Sequence, residues 1–187
     1  MPEPRSFAEH FLIAMPAMDD PNFVRSVTLV CQHDEGGAMG LVINHPADVR
    51  LGDLLGQLKL PADDAGLAER LVLDGGPVQP DRGFVLHDDP RSWDSSLRLR
   101  NGLAVTTSRD ILEAIARGDG PPHWHLALGY AGWDAGQLEA EMAANSWLTV
   151  PADAGLVFDI PIEARWCAAA GRLGVDLDRL ADYAGHA

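Results

Sequence analysis

Lysine is nearly absent from this chain, since Lys59 is the only one among 187 residues. Schiff-base enzymes and Walker-type phosphate loops both need a lysine, and neither motif surrounds Lys59. Basic residues as a whole are scarce, because 28 Asp and Glu face 14 Lys and Arg and leave a formal net charge of −14. A surface of that sign repels phosphate backbones, whose binding depends on Lys and Arg. Direct binding to nucleic acid is therefore disfavoured.

Cysteine and long apolar runs are scarce as well. Cys31 and Cys167 lie far apart in the sequence, and in a cytoplasmic chain such thiols are expected to be reduced and buried rather than bridged. Cys31 alternates in register with Val27 and Leu29, which predicts a buried strand position. No run reaches 18 apolar residues, and the first residues lack the basic start and apolar core of a signal peptide. We therefore expect a cytoplasmic protein that does not engage a membrane.

The composition is that of an ordinary globular protein, with 47% hydrophobic and 22% charged residues. A chain of this length suits one domain, which we place over residues 1–187. Runs with the content and bounding turns of strands cover residues 11–15, 26–33, 39–44, 71–74, 83–87, 103–106, 123–130 and 147–150. Apolar residues at helical spacing cover residues 49–58, 109–117, 162–172 and 177–182.

The order of these elements predicts an α+β fold. Strands and helices do not alternate regularly, which argues against a doubly wound parallel sheet. A mixed, largely antiparallel sheet or flattened barrel, with helices packed outside, fits better. Residues 26–44 indicate a hairpin, with its turn at residues 34–37. The glycines of this turn do not form a phosphate loop, because they lead into a strand rather than a helix.

Residues 128–141 join a strand-like run to a helix start and concentrate glycine, tryptophan and carboxylates there. With Asp134 as the N-cap, Gln137 takes the third helical position and can return a hydrogen bond to the N–H of the cap. Trp133 and Leu138 then form a hydrophobic staple. The start of a helix alone accounts for these residues.

Three further residues of this helix have less obvious roles. Asn145 lies on the same helical face as Leu138, which predicts that it points towards the core or a cleft. A buried asparagine must be hydrogen-bonded, either to an adjacent loop or to a ligand. Glu139 and Glu141 favour the dipole early in a helix, and we expect both on the solvated face.

The histidines give no metal site. His123 and His125 share one side of a predicted strand, which we interpret as the polar side of a half-buried element. The apolar face of the same strand consists of Trp124, Leu126, Leu128 and Tyr130. No third ligand appears at a recognisable spacing, so we predict no metal and no cofactor. Either His87 or His186 could act as a general base, since the imidazole of an unperturbed histidine has a pKa of about 6.5. No serine or cysteine nucleophile motif accompanies them.

Three separated blocks resemble the YqgE/AlgH family of bacterial proteins. They are GGAMGLVINHP at residues 36–46, LGYAGWDAGQLEAE at residues 128–141, and the ending Gly185-His186-Ala187. The resemblance extends over essentially the whole chain and implies a mixed α+β fold with long bulged strands. It also implies a regulator, because the family is often described as affecting transcription of exopolysaccharide genes. His45 departs from a family position that is often basic or long and polar, so a contact with an acidic partner there would be weaker.

The first functional hypothesis is a non-enzymatic binding or regulatory module with an unidentified protein or small-molecule partner. Its candidate ligand-binding cleft consists of Asn44, His87, Tyr130, Trp133, Gln137, Glu141 and Asn145. The alternative is an unrecognised hydrolase that uses His87 with Glu139 or Glu141. Under the first hypothesis no residue is assigned as catalytic.

Overall fold

A computed structural model describes residues 6–184 of the protein. The strands are β1 (His10–Ala14), β2 (Val27–Asp34), β3 (Gly37–Val42), β4 (Pro46–Arg50), β5 (Leu71–Asp74), β6 (Val78–His87), β7 (Ser96–Arg98), β8 (Ala104–Thr106), β9 (Trp124–Asp134) and β10 (Trp147–Pro151). The helices are α1 (Leu51–Gln57), α2 (Ala65–Ala68), α3 (Arg109–Ala116), α4 (Gln137–Ala143), α5 (Ala154–Phe158), α6 (Arg165–Gly171) and α7 (Leu177–Ala184), with a 3₁₀ turn at Ile162–Ala164.

The strands form one curled sheet in the order β10-β1-β2-β3-β9-β6-β8-β7, and β4 and β5 attach beside β9. The β5–β9 pair is parallel, whereas the other described pairs are antiparallel. Register shifts interrupt the β2–β3 and β6–β9 pairs. These features confirm the predicted α+β fold with a largely antiparallel sheet and long bulged strands. No helix within residues 6–184 is long and apolar enough to cross a bilayer.

Strand β9 links the two halves of the sheet. Its first half pairs with β5 and β6, and its second half pairs with β3. The exchange of neighbours occurs around Gly129, which has a φ of 75° and whose added Cβ would lie 2.4 Å from the carbonyl oxygen of Gly76. Only glycine accepts both the left-handed backbone and the close approach.

The irregularity at Gly129 changes which side chains share a face. Before it, Leu126 and Leu128 pack on the outer side of the sheet. After it, Tyr130 packs with the inner core, and the next outer residue is Ala131. The prediction that Tyr130 shares a face with Leu126 is therefore wrong. A strict two-residue alternation does not hold across a position with a positive φ.

Three clusters of buried residues flank the sheet. The largest collects side chains from strands across the whole sheet together with α5, α6 and α7, as expected for the inside of a curl. Two smaller clusters lie on the outside, one under α1 and α3 and the other under α4. Cys31 is buried in the inner cluster, as predicted, and burial raises the pKa of its thiol to about 12. Cys167 is exposed, so its predicted burial is wrong, and both cysteines are free.

The β2–β3 hairpin forms as predicted. Its turn is required to end in glycine, because a Cβ on Gly37 would lie 2.2 Å from the carbonyl oxygen of Trp133. Strands β4 and β7 and helices α2 and α5 were not predicted. Each is a short element of three to five residues, and such lengths carry too little periodicity to be recognised.

Candidate functional site

The turn after β9, which we call the corner, leads into helix α4, but Asp134 does not cap this helix as predicted. Asp134 ends β9, and α4 begins after Gly136, whose φ is 77° and which gives no side-chain cap. The reciprocal bond is present nonetheless, because the backbone N–H of Asp134 donates to Gln137 Oε1 at 2.9 Å. Trp133 and Leu138 are buried in one cluster, as a staple requires. Asp134 is therefore not the N-cap, since Ala135 and Gly136 form a turn before the helix.

The Glu141 side chain is hydrogen-bonded inside the corner rather than solvated. The prediction that it lies on the solvated face of the helix is therefore wrong. Its Oε1 accepts hydrogen bonds from Trp147 Nε1 at 3.2 Å and from Trp133 Nε1 at 3.4 Å. Phe23 stacks on Trp133 with ring centroids 5.9 Å apart and meets Trp147 edge-on at 5.5 Å. Glu139, by contrast, is exposed as predicted, and its hydrogen bond with the imidazole of His33 lowers the pKa of the carboxyl.

Asn145 follows the C-cap residue of α4, Ala144, and is exposed, so it points neither to the core nor to a cleft. Its φ is 58°. The N–H of Asn145 donates to the carbonyl of Met142, and the N–H of Ser146 donates to that of Glu141. These two bonds form a Schellman motif, in which asparagine replaces the usual glycine because it tolerates the left-handed conformation.

Asn44 braces the start of β2. Its Oδ1 accepts from the backbone N–H of Val27 at 2.8 Å, and its Nδ2 donates to the carbonyl of Arg25 at 2.8 Å. The neighbouring His45 makes a similar contact through Nε2 with the carbonyl of Val24 at 3.0 Å. The polar groups of the Asn44 amide are thus engaged by the chain itself.

His87 is fully buried at the end of β6. Its Nδ1 accepts from the backbone N–H of Asp89 at 3.1 Å, and its Nε2 lies 2.8 Å from Thr106 Oγ1. Burial lowers the pKa of the imidazole, an effect partly offset by the carboxylate of Asp89. The side chain is therefore neutral at pH 7.

His87 and the α4 glutamates do not share a site. His87 pairs with Trp124 on β9, whereas Glu141 contacts Trp133 on the same strand. The two strand positions are separated by roughly 25–30 Å at about 3.3 Å per residue. A hydrolase that combines His87 with Glu139 or Glu141 therefore has no support in this geometry.

His123 lies at the surface, whereas His125 lies in the interior. His123 is exposed and lies 3.1 Å from Asp88 Oδ2. His125 Nε2 lies 2.9 Å from the carbonyl oxygen of Val157, and burial together with the charge of Arg165 lowers its pKa to about 4. Within the described part of the chain, no group of three or more His, Cys, Asp or Glu is arranged to hold a metal ion. His186 lies outside the described residues.

A trough of about 810 Å³ opens where the inner core reaches the surface. Its apolar wall comes from β3, β6, β7 and β9 and includes Met39, Phe84, Leu97 and Tyr130. Its polar wall includes Arg82, Ser95, Ser96 and Thr107. Phe84 and Tyr130 meet edge-on with centroids 5.8 Å apart.

Among the residues of the predicted cleft, Tyr130 and Trp133 line this trough, although the Trp133 indole packs in the outer cluster. The other five lie elsewhere: Asn44, His87, Gln137, Glu141 and Asn145. Sequence reasoning missed the wall formed by β6, β7 and β8. The sequence did contain one signal, which is two pairs of adjacent hydroxyl residues at 95–96 and 106–107. These pairs lie in or next to β7 and β8, which are neighbours in the sheet.

Comparison with known proteins gives consistent matches over the chain. The AlgH-like family model matches residues 11–178. A UPF0301 protein of Stenotrophomonas maltophilia strain K279a is 59% identical over 183 residues, which cover 98% of this chain and 97% of that protein. A UPF0301 protein of Xanthomonas campestris pv. campestris strain B100 is 58% identical over 184 residues, with 98% of each chain covered.

Two solved structures match as well. The solution structure of the AlgH protein from Pseudomonas aeruginosa has a TM-score of 0.80 at 53% identity and covers 100% of this chain and 99% of its own. The crystal structure of a Corynebacterium diphtheriae protein has a TM-score of 0.73 at 22% identity and covers 97% of this chain and 94% of its own. The second match supports the fold alone.

Proposed function

Because this chain belongs to the AlgH-like family, we propose that it is a regulatory protein of the cytoplasm that acts by binding rather than by catalysis. Its binding site is the trough, and its ligand is a small amphipathic molecule. The observation that carries this proposal is the size and lining of the trough. The regulatory part follows from the family resemblance, and the binding part follows from the geometry.

The trough has the dimensions and chemistry of a small-molecule site. Such sites measure roughly 300–1,000 Å³ and combine apolar walls with a few convergent polar groups, and the volume of about 810 Å³ lies within that range. The edge-on aromatic pair of Phe84 and Tyr130 suits a flat apolar body. The guanidinium of Arg82 lies 5.2 Å from the centroid of the Phe84 ring, which places a charge beside the apolar wall.

Direct contact with DNA is a poorer explanation for a regulatory role. Besides the net charge of −14, several arginines are occupied by the chain itself. Arg98 donates from Nη1 to the carbonyl of Asp89 at 3.1 Å and from Nη2 to that of Pro90 at 2.9 Å. Arg165 is buried and donates to the carbonyl of Ile160 at 3.0 Å. Guanidinium groups that are hydrogen-bonded to carbonyls of their own chain are not available to bind phosphates.

The substitution Gly132→Phe tests the trough directly. Gly132 faces the trough from β9, and a Cβ added there would meet its nearest neighbours at 3.6 and 3.7 Å, which is ordinary contact. Phenylalanine suits a strand, so the variant should fold while its ring fills the trough. Gly171→Phe is the matched control, because an added Cβ at Gly171 on α6 would meet nothing within 4 Å.

The measurement is a fluorescence titration with N-phenyl-1-naphthylamine, a neutral aromatic probe that brightens in apolar sites. The wild type and the Gly171→Phe control should bind the probe with the same affinity, and Gly132→Phe should bind at least tenfold more weakly at an unchanged melting temperature. Equal binding by all three proteins would show that the trough is not the site and would end the proposal.

A further inference from the structure

We propose that Arg82 makes the trough selective for ligands that carry a negative charge. The charged group of the ligand lies between the Arg82 guanidinium and the hydroxyl groups of Ser95 and Thr107, three residues of the trough wall. The inference rests on the proposed binding function and names the chemical class of the ligand. That ligand is an apolar or aromatic body with one anionic group, such as a carboxylate or a sulfonate.

Ser95 and Thr107 lie on the face of the sheet that lines the trough. They continue the β7–β8 ladder by one step, because the Thr107 N–H donates to the carbonyl of Ser95 at 3.0 Å. Each lies two residues from a member of the Leu97–Val105 pair, whose side chains pack in the inner core. Residues two apart along a strand share a face, so the side chains of Ser95 and Thr107 are on the inner side as well.

Arg82 lies on the same face, one strand away. It is two residues from Phe84, which packs in the inner core, and its Cζ lies 5.2 Å from the centroid of the Phe84 ring. Continuing the pairing of β6 with β8 by one step beyond Val85 sets Phe84 opposite Thr107. Arg82 is then a diagonal neighbour of Thr107 at about 7–8 Å, a distance that an arginine side chain and a small bound anion can bridge.

The charge of Arg82 is not neutralised by the described chain. Within residues 6–184 no carboxylate forms an ion pair with it, and its side-chain partner is the neutral Gln79 Oε1 at 3.5 Å. Asp81 lines a groove between α1 and α3 on the outer side of the sheet. Asp134, the acidic residue of the trough, lies six residues along β9 from Leu128, where β9 pairs beside Arg82, a separation of about 20 Å at about 3.3 Å per residue. An anionic group of the ligand therefore meets Arg82 without competition from these carboxylates.

The hydroxyl pair supplies a hydrogen-bond donor beside this charge. Ser95 Oγ and Thr107 Oγ1 lie 3.1 Å apart, and either of them can donate to the other. Their mutual contact uses one of the two hydroxyl hydrogens and leaves the second for the ligand. Because hydrogen bonds to a charged acceptor are stronger than those to a neutral one, this wall favours an anion over an uncharged group.

Two probes that share one aromatic body test the inference. 8-anilinonaphthalene-1-sulfonate carries a sulfonate, and N-phenyl-1-naphthylamine is neutral. The wild type should bind the sulfonate about tenfold more tightly, because a hydrogen bond to a charged group contributes about that factor. Arg82→Gln should remove this preference and leave the affinity for the neutral probe unchanged, whereas Arg82→Lys should retain most of the preference because the charge stays.

The matched control is Arg179→Gln. Arg179 is exposed on α7 outside the trough, and its loss changes the net charge by the same amount as the loss of Arg82. The control should therefore keep the preference for the sulfonate. A preference lost equally in Arg179→Gln would trace to the overall charge of the protein and would refute the site.

The hydroxyl pair needs its own variants. Ser95→Ala and Thr107→Val each leave one hydroxyl with a free hydrogen, so each should keep most of the affinity for the sulfonate. The double variant leaves no donor and should bind the sulfonate more weakly, at an unchanged affinity for the neutral probe and an unchanged melting temperature. Sulfonate binding that is unchanged in the double variant would place the anion away from the hydroxyls and overturn the proposed position.

The outcomes separate this inference from the proposed function. If the neutral probe does not bind the wild type, or binds Gly132→Phe equally well, the trough is not a binding site and both ideas fail. If the neutral probe binds as expected but the sulfonate binds no more tightly, or Arg82→Gln weakens both probes equally, the binding function stands and the selectivity for anions is refuted.

Discussion

Replacing Glu141 with alanine is expected to destabilise the fold by about 2–3 kcal/mol. Hydrogen bonds to a charged acceptor contribute about 1.5–3 kcal/mol each. The two bonds to Glu141 Oε1 measure 3.2 and 3.4 Å, which is long enough to favour the lower end of that range. Alanine would also leave two buried indole N–H groups, those of Trp133 and Trp147, without an acceptor.

The matched control is Glu139→Ala, two residues away on the same helix. The Glu139 side chain is 45% exposed, so solvent screens its contact with His33, whose own side chain is 4% exposed, and such screened contacts contribute about 0–1 kcal/mol. Both substitutions change helix propensity equally, so the comparison isolates the buried contacts. Before the structure is considered, nothing in the sequence distinguishes the two glutamates.

The assay is urea unfolding at 25 °C followed by circular dichroism, so that the changed surroundings of the indoles do not bias the signal. Glu141→Ala should lower the free energy of unfolding by about 2–3 kcal/mol, with a melting temperature about 4–12 °C below the wild type. A double-mutant cycle with Trp147→Phe should give a coupling energy of about 0.5 kcal/mol or more. A loss below about 0.5 kcal/mol, or one no larger than that of Glu139→Ala, would refute the reasoning.

Three further predictions concern stability. Gly56→Ala should raise the free energy of unfolding by about 0.5–1 kcal/mol, because the added Cβ meets nothing within 4 Å in α1; a lower value in urea unfolding would contradict this. Asn145→Ala should lower the free energy of unfolding by about 1 kcal/mol, because alanine is strained at the φ of 58°. Asn145→Gly should not lower it, and equal losses in the two variants would argue against a left-handed cap. Since the pKa of His125 is lowered to about 4, the unfolded chain takes up its proton near pH 6.5 before the folded chain does, and stability should fall by up to about 3 kcal/mol as pH drops from about 6.5 to about 4. This dependence of stability on pH should disappear in His125→Gln and remain in His123→Gln. The reverse pattern would show that His123, and not His125, is responsible.

Much of the fold could be predicted from local patterns. The β2–β3 hairpin follows from alternating apolar residues on both sides of a glycine turn, and Cys31 was correctly placed on the buried face. The α3 helix, at Arg109–Ala116, follows from apolar residues at helical spacing. These features depend on neighbours within a few residues, where periodicity and turn chemistry are sufficient.

The candidate site could not be predicted in the same way. The polar wall combines Arg82 of β6 with Ser95, Ser96 and Thr107 at or beside β7 and β8, strands that only the tertiary fold brings together. Tyr130 reaches the trough because the irregularity at Gly129 moves it to the inner face. Conspicuous residues such as His87 and Asn44 were predicted to contact ligand, and the structure places both outside the trough, engaged with their own chain.

The family, the α+β class, the β2–β3 hairpin and the acidic charge could all be predicted from the amino-acid sequence, because each depends on composition or on residues close together in the chain. Only the folded chain distinguishes Glu141, which accepts hydrogen bonds from two indoles, from the half-exposed Glu139, and places His87 outside the trough. The reason is that burial and hydrogen-bond partners are set by elements far apart in sequence. A side chain's chemistry follows from those partners more than from its position in a motif.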